Sequence, residues 1–163
     1  MAILKKQSDE ARSLVVLIVD DDPDTVEMYS LGLAFQGFTV RAAAEAEGAL
    51  ADALANPPDC IVADMRMPRM SGLELRRRLA ADPRCAALPV VAVTGLASDA
   101  RESDSEFSAV LMKPCTPEAL GQAIAIAIVQ ARGGERNPPL AAAKMLKRMA
   151  RRRLAPPTAG ASR

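Results

Sequence analysis

Five mainly apolar runs recur along the chain, and each ends where polar, glycine or proline residues begin. They are residues 14–19, 38–43, 59–65, 88–93 and 109–112. Short runs bounded by turn residues predict strands, and nearly continuous apolar runs predict strands buried on both faces. Helices are predicted over 23–36, 45–55, 72–82 and 116–132, and the polar stretch 98–108 has the weakest helical pattern. Strands that alternate with helices predict an α/β fold with a doubly wound five-stranded parallel sheet. With the strand order 2-1-3-4-5, the first and third strands are neighbours.

The ends of two predicted helices are marked by residues with specific capping chemistry. Asp22 is a candidate cap for the first helix, Pro23 suits its first turn, and Gly37 follows its last residue. Thr116 and Pro117 mark the start of the last helix in the same way.

Composition agrees with a covered parallel sheet. Half of the residues are hydrophobic but only 2% are aromatic, so the core is expected to consist of alanine, valine, leucine and isoleucine. No run approaches the ~20 apolar residues that cross a bilayer. Residues 1–12 contain no long apolar stretch before a cleavage site, so we expect a cytoplasmic location.

Cysteine and histidine usage excludes several kinds of chemistry. Cys60, Cys85 and Cys115 have no metal-ligand spacing, and an odd number is a poor disulfide framework, so reduced structural thiols are expected. The chain contains no histidine, which excludes Ser-His and Cys-His nucleophiles and most catalytic zinc sites. It also means that the chain cannot itself donate a phosphoryl group from phosphohistidine.

Charge divides the chain into an acidic body and a basic end. Residues 133–163 contain eight Lys and Arg residues and one acid, whereas the preceding residues are net acidic. The expected organisation is an extension over 1–13, one folded domain over 14–132 and a basic linker and tail over 133–163. Within that tail, residues 140–154 are compatible with disorder or with a short basic amphipathic helix that binds nucleic acid, anionic lipid or an acidic partner.

Reactive side chains lie at the predicted carboxyl ends of the strands: Asp20 and Asp21 after the first, Asp64 in the third, Thr94 after the fourth and Lys113 after the fifth. Open α/β sheets bind ligands outside this edge, where the strand order reverses. Three carboxylates there would repel one another unless a cation joined them, and Mg²⁺ prefers oxygen ligands. The pattern predicts a magnesium site in which Asp64 is a nucleophile toward phosphorus, Lys113 a cation for the phosphoryl oxygens and Thr94 a hydroxyl partner. Each of these motifs alone is usually a turn or a helix cap. Their joint position at one edge of the sheet favours the phosphoacceptor site instead.

Four motifs in this order resemble the receiver domains of bacterial two-component response regulators. They read LIVDDDPD, IVADMRMPRMSGLEL, VVAVTG and LMKP, and the resemblance covers residues 14–132. It implies a flavodoxin-like receiver fold and a signalling switch, not an enzyme with a separate substrate. It also implies that a sensor histidine kinase or a phosphotransfer protein donates the phosphoryl group, and that a downstream protein reads the resulting change of shape.

The resemblance assigns roles to individual residues. It implies an acidic pair at Asp20 and Asp21, with Asp21 the direct metal ligand, and Asp64 as the phosphoacceptor. It further implies that the backbone carbonyl of Arg66 is a Mg²⁺ ligand and that Thr94 supplies the switch hydroxyl. Lys113 would be the phosphate-binding lysine, and the peptide bond before Pro114 would be cis.

The sequence departs from the family pattern in the segment that usually transmits the signal. The stretch between Thr94 and Lys113 is slightly short, and Val110 stands where many receivers carry an aromatic ring. We therefore expect the readout to use residues 96–108. The face from the fourth to the fifth helix, where receivers often dimerise, is the part that departs most.

Three functions remain open from the sequence. The first is a stand-alone receiver that acts by phosphorylation-dependent contact with another protein. The second is a receiver whose basic tail contacts nucleic acid, a membrane or an acidic partner. The third is a scaffold of receiver shape that is never phosphorylated.

Overall fold

The computed structural model of the chain describes residues 12–103 and 105–133. In that part, strands and helices alternate as predicted. The strands are β1 (Val15–Val19), β2 (Thr39–Ala43), β3 (Cys60–Asp64), β4 (Val90–Thr94) and β5 (Ala109–Met112). The helices are α1 (Pro23–Phe35), α2 (Ala46–Ala55), α3 (Gly72–Ala81), α4 (Ala97–Ser103) and α5 (Pro117–Ala131).

The sheet has the predicted order, β2-β1-β3-β4-β5, and every neighbouring pair is parallel. Val19 lies opposite Ala63, and Asp64 lies opposite Val93. The residues that follow β1 and β4 therefore come directly beside the end of β3. This register brings the predicted acids and hydroxyl to one edge of the sheet.

Alternate residues of the central strands pack on opposite faces of the sheet. Val16 and Ile18 of β1 belong to the core under α1 and α5, whereas Leu17 and Val19 belong to the core under α2 and α3. Both cores are mainly aliphatic, as the composition predicts. Burial on both faces explains why these strands read as continuous apolar runs.

The helix caps agree with the prediction. The carboxylate of Asp22 accepts hydrogen bonds from the backbone N–H groups of Asp24 and Thr25. Gly37 has a φ of 101°, a left-handed conformation that favours glycine after a helix. The hydroxyl of Thr116 accepts from the N–H of Ala119 at the start of α5. These groups satisfy backbone donors and acceptors that a helix leaves unpaired at its ends.

Most other predicted boundaries lie within two residues of the observed ones, apart from the end of α4. β4 was expected to begin at residue 88 but begins at Val90. Pro89 has no N–H for the ladder, although its carbonyl accepts a hydrogen bond from Ile61. The N–H groups that β4 can offer to the ladder therefore begin with Val90.

The polar stretch forms a shorter helix than its length suggested. α4 spans seven residues, and the chain then turns at Glu106 toward β5. Arg76 of α3 donates from Nε to the Glu106 carbonyl at 2.9 Å, and Arg77 lies 3.4 Å from the Glu106 carboxylate. Phe107 is buried in the core under α2 and α3, and Val110 packs against that core. The turn is thus held by α3, not by an apolar face of α4.

Opposite the predicted site, Asp59 precedes β3 at the amino edge of the sheet. Its buried carboxylate accepts a 2.8 Å hydrogen bond from the N–H of Val15. It also lies 2.8 Å from Arg12 and 2.7 Å from Arg132. These contacts join the start of β1 and the end of α5 to the central strand.

The interpretations that concern residues 1–11 and 134–163 lie outside the described residues. They include most of the predicted extension and the basic tail with its segment 140–154. The division into 1–13, 14–132 and 133–163 therefore stays a prediction.

Candidate phosphoacceptor site

Asp64 is the last residue of β3, and its side chain is only 10% exposed. One carboxylate oxygen, Oδ1, lies 3.3 Å from Nζ of Lys113. The backbone N–H after it, that of Met65, donates to the carbonyl of Val93 on the neighbouring strand. The position of the carboxylate is therefore set by the sheet ladder and by a cation from β5.

Asp20 and Asp21 lie beside Asp64 because β1 and β3 are neighbouring parallel strands. Asp20 is buried and Asp21 is exposed. One ligand oxygen from each of the three acids lies within 4.8 Å of the other two. Three carboxylates so close together are a donor set for a hard divalent cation with oxygen ligands, and this chemistry fits Mg²⁺. The structure thus brings together the three acids predicted from the sequence.

Lys113 lies between two of these acids. Its ammonium donates to Oδ2 of Asp20 at 2.9 Å as well as lying beside Asp64. Its backbone N–H donates to the carbonyl of Thr94 at 2.7 Å, and the following bond to Pro114 is cis, as the family resemblance predicted. The end of β5 therefore directs this cation toward the carboxylates of β1 and β3.

The charges of the site act on one another. Burial raises the pKa of the Asp64 carboxyl, and the nearby carboxylates Asp20 and Asp21 raise it further, while Lys113 opposes both effects. Burial alone would lower the pKa of Lys113, but its hydrogen bond to Asp20 and the charges of both acids outweigh this and raise it. The raised pKa keeps the lysine cationic at neutral pH, so a cation is fixed beside the cluster of three acidic side chains.

Thr94 ends β4 and is fully buried, and its hydroxyl is already engaged by residues of the segment that follows it. It donates to Oδ2 of Asp99 at 3.2 Å and accepts from the N–H of Leu96 at 3.2 Å. Arg66 binds the same Asp99 carboxylate through its side chain, with Nε 2.9 Å from Oδ2 and Nη2 3.2 Å from Oδ1. The roles assigned to the Thr94 hydroxyl and to the backbone carbonyl of Arg66 remain predictions.

Two residues at this edge were missed by sequence reasoning. Asp99 was seen only as one of several charges in a polar stretch, and nothing local indicated its contact with Thr94. Gly72 was read as part of a helix start, but a Cβ there would lie 2.4 Å from the backbone oxygen of Asp64. The glycine after a proline-containing loop was a usable signal, because close backbone approach is one reason for a glycine.

Cys115 follows the cis proline, and its sulfur lies 3.1 Å from the hydroxyl of Tyr29. Cys60, Cys85 and Cys115 are all free thiols, and the first two are buried. Burial raises the pKa of both the Cys60 and the Cys85 thiols. This agrees with the expectation of reduced structural cysteines.

Comparison with known proteins identifies the family of this domain. The family model of the response regulator receiver domain matches residues 16–125. A probable transcriptional regulatory protein, TcrX of Mycobacterium tuberculosis, is 36% identical over 93 residues, which are 57% of this chain and 38% of that protein. An uncharacterised 14.6 kDa protein of Leptolyngbya boryana is 37% identical over 108 residues, which are 63% of this chain and 80% of that protein. The chain thus spans well under half of TcrX but most of the second relative.

A solved structure shares the fold. The receiver domain protein of Methanospirillum hungatei JF-1, described as CheY-like, is 27% identical with a TM-score of 0.67, and the match covers 76% of this chain and 99% of that one. Within the described residues, no helix is both long and apolar enough to cross a membrane. The matched residues include four whole strands, all of β1 except Val15, and the acidic edge of the sheet. The chain belongs to the response regulator receiver family of two-component systems.

Proposed function

We propose that Asp64 accepts a phosphoryl group from phosphohistidine on a sensor kinase or a phosphotransfer protein, and that the domain signals by the resulting change of shape. One observation carries this proposal. A buried carboxylate at the end of β3 lies 3.3 Å from Lys113 and within reach of two further carboxylates. Neighbouring charges and desolvation of this kind are typical of functional sites.

The transfer is a displacement at phosphorus. A carboxylate oxygen of Asp64 forms the new P–O bond as the P–N bond of the donor breaks, and the bonding pair leaves with the imidazole nitrogen. Asp20, Asp21, Asp64 and the carbonyl of Arg66 would hold Mg²⁺. Bound there, the ion supplies positive charge beside the phosphoryl oxygens.

The chain's own residues have distinct parts in this reaction. Lys113 is already held at the carboxylates, so its ammonium is in place to pair with phosphoryl oxygens without a large movement. Gly95 has no atom within 4 Å of the position that a Cβ would occupy, which leaves room beside the site. Thr94 supplies a hydroxyl at the neighbouring strand end for the attached group.

The direct test is phosphorylation by acetyl phosphate with Mg²⁺, followed by a phosphate-affinity gel. We expect a shifted band for the wild-type chain and none for Asp64→Asn. Asp24→Asn is the matched control, because it removes an exposed carboxylate of α1 that lies outside the cluster. A shift that persists in Asp64→Asn, or a wild-type chain that never shifts, contradicts the proposal.

We propose that phosphorylation of Asp64 changes the conformation of residues 96–108, and that this change is what a partner recognises. Val110 carries no ring that can change rotamer, and α4 has few apolar side chains to fix it on the sheet. Helices with few buried contacts open and shift at low energetic cost. Amide hydrogen exchange with and without beryllofluoride tests this expectation. Unchanged protection over 96–108 would show that the readout lies elsewhere.

A second candidate function concerns the basic segment 133–163. Its excess of Lys and Arg favours contact with nucleic acid, anionic lipid or an acidic partner. Deletion of residues 135–163 separates this function from signalling by the folded domain alone. If the segment binds DNA, deletion removes a steep dependence of affinity on salt. If binding and salt dependence are the same with and without it, the segment has no such role.

A further inference from the structure

Thr94, Asp99 and Arg66 form a continuous network beside the proposed phosphoacceptor. Thr94 is buried, and its Oγ1 donates to Oδ2 of Asp99 at 3.2 Å. Arg66 holds both oxygens of that carboxylate, at 2.9 Å and 3.2 Å. The network links the β3–α3 loop, the end of β4 and the first turn of α4.

The hydroxyl of Thr94 has one proton to donate. The N–H of Leu96 donates to its oxygen, so the oxygen acts there as an acceptor and its proton is directed to Asp99. A phosphoryl group on Asp64 would present further acceptor oxygens at the adjacent strand end, where Asp64 pairs with Val93. Two acceptors, the Asp99 carboxylate and the phosphoryl group, would then need the same proton.

Asp99 is a strong competitor because Arg66 binds both of its carboxylate oxygens, with Nε 2.9 Å from Oδ2 and Nη2 3.2 Å from Oδ1. This two-point contact fixes the carboxylate beside the Thr94 hydroxyl. An ionised carboxylate is an acceptor only, and bonds to charged groups are stronger than neutral ones. Its aspartate side chain is 16% exposed, so solvent screens the contact only in part.

We propose that Asp99 is a positioning residue which binds the Thr94 hydroxyl and competes with the phosphoryl group on Asp64 for its proton. The proposal rests on the proposed phosphorylation of Asp64. When Thr94 turns to the phosphoryl oxygens, α4 loses the hydrogen bond that joins its first turn to β4. Phosphorylation is thereby coupled to the short α4 helix without an aromatic side chain at Val110.

A purely structural role makes a different prediction. If Asp99 only pairs with Arg66 and stabilises α4, its removal affects the site to the same extent whether or not residue 94 has a hydroxyl. The same holds if its negative charge merely repels anions. Competition for the proton requires the hydroxyl, so the two explanations separate in a double-mutant cycle.

The experiment measures the affinity of the full chain for beryllofluoride in Mg²⁺ by calorimetry. The variants are Asp99→Ala, Thr94→Val and the double variant. We expect Asp99→Ala to tighten binding on the order of tenfold in the presence of Thr94, the size expected when one charge-assisted competitor is removed. In the Thr94→Val background the same substitution should change affinity less than about twofold.

The comparison between backgrounds also controls for folding. Any disturbance of α4 by Asp99→Ala is present in both, and hydrogen exchange of α4 without beryllofluoride checks that it is equal. Equal fold-changes in affinity in the two backgrounds would overturn the proposed competition for the Thr94 proton.

The variant Asp64→Asn separates the role of Asp99 from the proposed phosphorylation of Asp64, on which it rests. If wild-type binding is lost in Asp64→Asn but the cycle shows no coupling, the phosphoacceptor assignment stands and the role of Asp99 does not. If the wild type fails to bind, both are overturned.

Discussion

Asp59 and Asp64 lie at opposite ends of the same strand, and both carboxylates are buried, with 5% and 10% of the side chain exposed. Asp59 is surrounded by donors, namely Arg12, Arg132 and the N–H of Val15. Asp64 shares Lys113 with Asp20 and faces Asp21 as well. One end of β3 therefore has its negative charge balanced, and the other end has an excess.

This difference explains what each position is suited to do. A buried carboxylate with its hydrogen bonds satisfied joins distant segments, and the three partners of Asp59 come from the start of β1 and the end of α5. Carboxylates that crowd together make folding less favourable but prepare a site for a cation. An aspartate at the amino edge of the sheet, Asp59, thus stabilises the fold. An aspartate at the carboxyl edge, Asp64, is proposed to react with a phosphoryl group.

The largest effect on stability is expected from Asp59→Ala. It removes the acceptor of hydrogen bonds from the part-buried N–H of Val15 and from two arginines, so the free energy of unfolding should fall by about 2–3 kcal/mol. Urea denaturation measures this loss. Phosphorylation by acetyl phosphate should remain at the wild-type level at a temperature where the variant is folded. A loss below about 0.5 kcal/mol would show that the arginine contacts act as ordinary surface ion pairs.

A second substitution tests how closely the backbone at Asp64 is packed. Gly72→Ala places a Cβ 2.4 Å from the Asp64 backbone oxygen, so the chain must shift and unfolding should become easier by about 1–3 kcal/mol. Gly48→Ala in α2 is the matched control, since nothing lies within 4 Å of its Cβ position. In that control the free energy of unfolding should rise by about 0.5–1 kcal/mol, because alanine favours a helix interior more than glycine does. Equal effects of the two substitutions in thermal or urea unfolding would contradict the close packing.

Mg²⁺ should relieve the repulsion at the carboxyl edge of the sheet. At a free concentration ten times its dissociation constant, the ion should add about 1.4 kcal/mol to the free energy of unfolding. Thermal unfolding with Mg²⁺ and with a chelator measures the gain. Asp21→Asn should lose most of it, whereas Asp59→Ala should retain it. A gain of equal size in Asp21→Asn would place the ion elsewhere.

The smallest effect expected is a dependence on pH in the absence of metal. The pKa of Asp64 is raised in the folded state, so the folded protein binds a proton more readily than the unfolded one, and stability contributed by this group decreases as pH rises toward neutrality. Asp64→Asn should therefore be more stable than the wild type at pH 7. The difference should narrow as pH falls through the raised pKa toward 3.8. Urea unfolding of both proteins across this range checks the sign, and a difference that grows on acidification would contradict it.

Much of the fold was predictable because its signals are local. Short apolar runs such as residues 14–19 identify strands buried on both faces, and Asp22, Gly37 and Thr116 identify helix ends through hydrogen bonds to nearby backbone groups. The cluster of Asp20, Asp21 and Asp64 was predictable for a related reason. Parallel strands present their carboxyl ends at one edge, so a position at a strand end determines a position in the site.

Contacts between segments without a periodic pattern were not predictable. The bond from Thr94 to Asp99 depends on how α4 follows β4, and α4 has no apolar stripe from which its orientation can be read. The turn at Glu106 is held by Arg76 from a helix that precedes it by about thirty residues, a contact with no local sequence signal.

The sequence by itself determined the alternation of strands and helices and the residues at the carboxyl ends of the strands, because hydrophobic period and capping chemistry act over a few neighbouring residues. The strand order is a pairing between distant segments, which the tertiary structure shows. Tertiary structure alone decided the charge balance of each acid. Whether Asp59 meets two arginines or Asp64 meets two carboxylates depends on which distant segments pack beside them, and electrostatic energy depends on those distances in space, not on separation along the chain.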